Sequence, residues 1–408
     1  MKISTVSING FFSILFLSFF LSACGNKAQE KTSKSDEISE NQTNDVKLPI
    51  LLDLNKTFPE REVNYQDIAE VEYVPLETRD NVLIAQNNSI LITNNFIICC
   101  NRGKDEFLFF DKKGHFIKSF CHKGGSGEEY QNVMGLAYDE KSDELFVNDS
   151  FHKKKVLVYS SNGQFKRKFQ TRDRLNELMI FDDKNLIARK CYLWEEDLEN
   201  PKKSKDYLLL SRKDGSISST IDLDNINKIP TMLDRGYLSY FPINPNDIVR
   251  FKNGFILADI SSDTIFKMGL DLKLMPFIIR RPALKIKDNT TLLNQVLCMT
   301  DKYVFLAKSN YSFGPGVPTM TNITEIAVDL KNNDVFNAKF INKDFPTHES
   351  SLFFFTDIRT PENTAASLLE ASDLLEALDE EKLSGPLKKI ALTLKEDDNP
   401  VVIILKFK

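Results

Sequence analysis

FLFFDKKGHFIKSFCHKGGSGEEYQNVMGLAYDEKSDELFVNDSFHKKKVLVYSSNGQFKRKF, residues 107–169, says nearly the same thing at both of its ends. FFDKKGHFIKSF (109–120) and VYSSNGQFKRKF (158–169) each run an apolar strand into a four-residue turn closed by glycine. A strand mixing aromatic or aliphatic residues with lysine then follows. Gly114 and Gly163 supply the positive φ that such a hairpin turn needs. Between the copies, VMGLAY (133–138) and ELFVN (144–148) read as two more strands, joined by the polar turn 139–143. One unit is therefore four short antiparallel strands, after which the pattern begins again. A repeated four-stranded unit of this length predicts the blades of a propeller.

Working outward, the hairpin glycines fall at Gly114, Gly163 and Gly215, 49 and 52 residues apart. Fainter copies follow at FKMGLDLKL (266–274) and AVDLKNNDVFNAKF (327–340). Five blades result, at about 88–120, 133–169, 178–221, 246–279 and 294–340. The sixth is composite. SLFFFTD (351–357) reads as its inner strand, and then residues 361–390 change period. There Ala366, Leu368, Leu369, Leu374, Leu375 and Leu378 recur at helical spacing, which predicts a small helical insertion covering core. VVIILKF (401–407) is too apolar to stand as a free edge, and VEYVPL (71–76) has the same need. Pairing the two closes the ring. Residues 48–408 thus read as one all-β domain, a six-bladed β-propeller of four-stranded antiparallel blades.

Ahead of this body, residues 1–24 read as a lipoprotein signal peptide: Lys2, the apolar run 11–21, and Leu21-Ser22-Ala23-Cys24 in the form of a lipobox. Cys24 is the expected lipidation site, anchoring the chain in the membrane through acyl chains. Residues 25–47 are polar and cannot bury enough surface to order themselves, so they read as a flexible tether with a mean span of roughly 25 Å. The expected location is the cell envelope, at the outer membrane, with the periplasmic or surface face left open. Without Lys2 the chain carries 52 basic and 58 acidic residues. That balance excludes a general nucleic-acid binder.

Three stretches carry a resemblance: VEYVPLET (71–78), KGGSGEEY (123–130) within the repeat, and the closing DDNPVVIILKFK (397–408). The chain resembles the NHL-type repeat and, more narrowly, the 6-bladed β-propeller lipoproteins of Gram-negative bacteria, a family largely without assigned activity. The joint 123–130 departs from that family's usual G-x-G-P-G-E-Y, because Ser126, Gly127 and Glu128 leave no proline. The resemblance implies the architecture and names no ligand.

Chemistry-bearing motifs are sparse. Cys99, Cys100, Cys121, Cys191 and Cys298 are odd in number and lack C-x-x-C, which argues against a disulfide framework or a zinc knuckle. Adjacent Cys99 and Cys100 point to opposite faces of one strand. There is no H-E-x-x-H, P-loop, G-x-S-x-G or complete G-x-G-x-x-G, so no cofactor or metal is expected. His122 and His152 fall in connections that share one face of the propeller. The long loops gather there too, with Tyr192 and Trp194, Tyr237 and Tyr240, Tyr311 and Phe313, and Arg235, Arg280 and Arg281 nearby in sequence. Exposed aromatics beside arginines suit recognition of a glycan, a peptide or an envelope protein. Packing of the loops onto the blades is the plainer role for the same rings. The sequence therefore favours a monomeric binding or scaffold module. A propeller enzyme of lactonase, glycan lyase or hydrolase type is the alternative, and it needs convergent acids and histidines at the channel mouth.

Overall fold

The computed structural model describes residues 48–408 apart from 86–87, 103, 150–152, 193–205, 224–231, 235–237, 241–246, 261, 283–289, 313–318, 347–349 and 353–356. It is a six-bladed propeller of four-stranded antiparallel blades. From the axis outward, blade 1 holds Asn88–Ile92, Phe96–Asn101, Glu106–Asp111 and Phe116–Phe120. Blade 2 holds Gly135–Asp139, Glu144–Asp149, Lys155–Tyr159 and Phe165–Gln170; blade 3 holds Leu175–Ile180, Asn185–Lys190, Tyr207–Ser211 and Ile217–Ile221. Blade 4 holds Ile248–Phe251, Gly254–Leu257, Thr264–Gly269 and Leu274–Arg281; blade 5 holds Thr290–Met299, Tyr303–Ser312, Thr319–Asp329 and Val335–Ile341.

Blade 6 joins the two ends of the chain. Val401–Phe407 lies between Thr364–Leu369 and Ala69–Pro75, in register Val401↔Pro75 through Phe407↔Ala69 on the outer side. This is the expected closure. The blade's innermost strand, Asp357–Arg359, pairs in parallel with Asn88–Ile92 of blade 1. Helices do occur in the expected insertion, at Ala371–Asp379 and Gly385–Ala391. Its first part is strand instead: Ala366, Leu368 and Leu369 belong to Thr364–Leu369, matched to Ile404, Val402 and Val401. A six-residue apolar segment gains more from a neighbouring strand than from a short isolated helix.

The core is six apolar interfaces between successive blades rather than one centre. Each middle strand is covered on both faces, which explains near-continuous runs such as FLFF and VLVY. Cys99 packs in the interface of blades 6 and 1 while Cys100 packs in that of blades 1 and 2, as strand alternation requires. The repeat turns sit at these interfaces. Gly114, at φ 87°, lies so close to blade 6 that an added Cβ would stand 2.0 Å from the Pro75 carbonyl oxygen. In the joint, Tyr130 is fully buried; its hydroxyl donates to the Asp105 carbonyl (2.7 Å) and accepts from the His122 N–H (2.8 Å).

Two strands ahead of blade 6 were not expected. Ile50–Asp53 adds in parallel to the outer strand of blade 4, and Glu60–Asn64 adds in parallel to that of blade 5. The segment before blade 6 therefore runs as a belt over two outer edges.

Candidate functional site

Antiparallel order sorts the connections onto two faces. Turns between first and second strands share one face; connections between second and third strands, and between blades, share the other. The axial cavity reaches the first.

That cavity has a volume of about 570 Å³ and is framed by the innermost strands of all six blades. Leu91, Leu136, Met179, Val249, Val296 and Met299 supply apolar wall. At its deep end the guanidinium of Arg359 crosses from blade 6: Nη1 donates to the carbonyl of Leu178 (2.8 Å) and reaches that of Leu136 (3.4 Å). The same nitrogen stands 3.9 Å from the Glu177 carboxylate, whose other oxygen accepts the Ile248 N–H at 3.0 Å. One bridge thus ties blades 6, 2, 3 and 4 across the axis. Both side chains are nearly excluded from solvent, and a charge in such a place is tolerated only when paired and hydrogen-bonded.

At the rim stand Glu140, Lys141, Arg250 and Glu362. Glu140 accepts from the Thr93 hydroxyl (2.5 Å) and the Asn95 N–H (2.8 Å), and Lys141 pairs with Asp183 at 3.3 Å. Arg250 Nη2 donates to the carbonyls of Ile180 (2.6 Å) and Phe181 (3.2 Å), with the guanidinium 4.6 Å over the Phe255 ring. Burial lowers the Arg250 pKa, while the charge of Glu362 opposes that shift. Burial likewise raises Glu362 above the ordinary carboxylate range, with Arg250 pulling it back and Asp301 adding to the rise.

The residues expected to bind on the long-loop face have varied placements. Tyr192 is 7% exposed, with its hydroxyl 3.3 Å from Asp206 Oδ1, and Tyr311 is 5% exposed within its strand. Arg280 is buried, donating to the carbonyls of Asn294 (2.6 Å), Asp259 (2.8 Å) and Ser262. Burial lowers its pKa to about 10 against the opposing charges of Asp259 and Asp263. Arg281 is exposed. His122 is half-buried, stacked on Tyr159 at 5.2 Å, and its Nε2 donates to the Gly163 carbonyl at 2.7 Å. It packs beside the outer strands, away from the axis. Tyr240 lies in the short strand Leu238–Tyr240. Trp194, Tyr237, Phe313, Arg235, His152 and Cys24 lie outside the described residues.

Glu177, Arg250, Arg359 and Glu362 were missed from sequence. A signal existed for Arg250: a charge set in the short apolar strand IVRF. The lining combines apolar wall with charged groups at the base and the rim. Its one lining thiol, Cys298, is pushed up to about 12 by burial and stays protonated. Among the described residues no histidine lines the cavity, and no group of three or more His, Cys, Asp or Glu could hold a metal ion.

A family model described as a domain of unknown function (DUF4934) matches residues 50–406. No curated protein matches the sequence. Among solved structures, the chain is similar to a candidate exported protein from Bacteroides fragilis NCTC 9343, at 15% identity, covering 88% of this chain and 99% of that one, with a TM-score of 0.63. That likeness shows the fold. Fainter ones are to the WD40 repeats of RRP9 (10% identity, 83% and 100% covered, TM-score 0.39) and to BamB from Moraxella catarrhalis (9%, 83% and 100%, TM-score 0.35). Likeness at that level carries no argument about function.

Proposed function

The chain belongs to the family described as a domain of unknown function (DUF4934), and from that premise we propose that it is a ligand-binding propeller of the cell envelope, with the axial cavity as its site. The observation that carries this reading is the cavity itself: apolar walls, a cross-axis ion bridge at its base, and charged groups at its rim. Small-ligand sites occupy roughly 300–1,000 Å³, are mostly apolar and carry a few placed polar groups. A ring held by six apolar interfaces presents such a site preformed, so little ordering cost falls on binding.

The leader and Cys24 support the envelope part of the reading. An acyl anchor at Cys24 followed by the polar tether 25–47 would hold the propeller near a membrane surface, in the manner of the lipoproteins that the sequence resembles. Turnover is the weaker reading, since among the described residues no nucleophile and base converge on the cavity.

The test is a screen of short peptides, oligosaccharides and small amphiphiles for shifts in the melting temperature of the purified protein. Val249→Trp, on the cavity wall, fills the site. Compounds that bind the native protein are expected to lose at least tenfold in affinity against Val249→Trp, while the variant melts within a few degrees of the native protein. Hits that bind both proteins equally would remove the cavity from the account.

A further inference from the structure

Elimination among the charged groups of the cavity narrows its ligand. Glu177 and Arg359 hold each other and backbone groups at the base. Glu140 accepts two hydrogen bonds, Lys141 pairs with Asp183, and Asp139 pairs with Arg212 at 2.5 Å. Two groups are left. Arg250 uses Nη2 on the Ile180 and Phe181 carbonyls, so Nε and Nη1 have no partner among the described residues. The Glu362 carboxylate accepts no hydrogen bond there either, and it influences Arg250 without closing to an ion pair. The two stand on different blades, 4 and 6, at the rim of one apolar cavity. A guanidinium with its Nε and Nη1 N–H groups to spare can hold a carboxylate by single hydrogen bonds, and an unpartnered carboxylate can hold an ammonium.

Resting on the axial-cavity reading, we propose that the rim takes a short peptide with apolar side chains. Its free α-carboxylate lies on Arg250, its free α-ammonium on Glu362, and its side chains against the wall. The wall suits varied apolar side chains, because Met179 and Met299 are unbranched and adapt to different shapes. The volume of about 570 Å³ leaves room for more than one residue. A peptide supplies both charges and the apolar body together. A fatty acid lacks the ammonium, and a neutral oligosaccharide lacks both charges.

Calorimetric titration of the intact protein with methionyl-leucine, its N-acetyl form and its C-terminal amide tests this directly. The free dipeptide is expected to bind, and each blocked form to bind at least tenfold more weakly. Arg250→Met should equalise the free and amidated forms; Glu362→Gln should equalise the free and acetylated forms. Blocked forms that bind the native protein as well as the free dipeptide overturn the proposal, whatever the variants do. Equal weakening of all three peptides by either variant also overturns it, since that is the mark of a structural role. If no dipeptide binds while another class of compound binds and is lost in Val249→Trp, the peptide assignment falls and the cavity reading stands. If nothing sensitive to Val249→Trp is found, both fall.

Discussion

Arg359 stabilises the ring through Nη1, which meets two backbone carbonyls and stands near the Glu177 carboxylate. Replacing it with methionine keeps the apolar length of the side chain and leaves Glu177 buried without that cation. Breaking a buried pair from one side costs about 3 kcal/mol or more, because the remaining charge keeps its desolvation penalty. Arg359→Met is therefore expected to lose about 3 kcal/mol in denaturant titration. Glu177→Gln in the same background should recover part of the loss, with a coupling of at least about 1 kcal/mol. Strictly additive losses would show that the two side chains act independently. Neither was legible in the sequence. The repeat pattern starts blade 3 one residue after Glu177, and Arg359 falls between a predicted strand and a predicted helix. Gly114 was legible, because a hairpin turn with φ near 87° admits few other residues.

Among elements, the strand Val401–Phe407 bears most on closure. It is nearly all buried and has a partner on each side, one from residues 364–369 and one from residues 69–75. Its need for partners was readable from composition alone, since seven residues of VVIILKF cannot face water on an open edge. The strand at 364–369 was harder. TAASLL has apolar residues at spacings that fit a helix or a strand, and only its distant neighbour Val401–Phe407 decides between them. Deleting residues 401–408 separates the outer strand of blade 6 from its inner strands and opens two apolar edges. The truncated chain is expected to lose cooperative melting and to aggregate on heating, followed by circular dichroism and light scattering. A cooperative transition near that of the full chain would mean that the ring closes by another route.

At the scale of the whole molecule, the outer edges are protected in two ways. On blades 1 and 2 the outer strands carry cations, Lys118 on one and Lys166, Arg167 and Lys168 on the other, which discourage a further strand. On blades 4 and 5 the belt covers the edge instead, and this was invisible from sequence. ILLD at residues 50–53 is four residues long, has no hairpin turn, and pairs in parallel with a strand more than 220 residues away. No local pattern encodes such a partner. The belt is well anchored: Ile50, Leu52 and Leu54 are buried, the Leu54 N–H donates to the Arg281 carbonyl at 2.6 Å, and Lys308 Nζ donates to the Leu54 carbonyl at 2.6 Å. Burying three such side chains stabilises by about 5 kcal/mol or more, so a chain beginning at Lys56 should unfold at clearly lower denaturant. It should also expose the strand Leu274–Arg281, LMPFIIRR, whose apolar middle is a template for pairing. Its two arginines sit at one end and leave that middle unguarded. Concentration-dependent association, measured by light scattering, is therefore expected of the shortened chain and not of the full one. A shortened chain as stable and as monomeric as the full one would show that blade 4 guards its own edge, and the belt would then be a passenger on the ring.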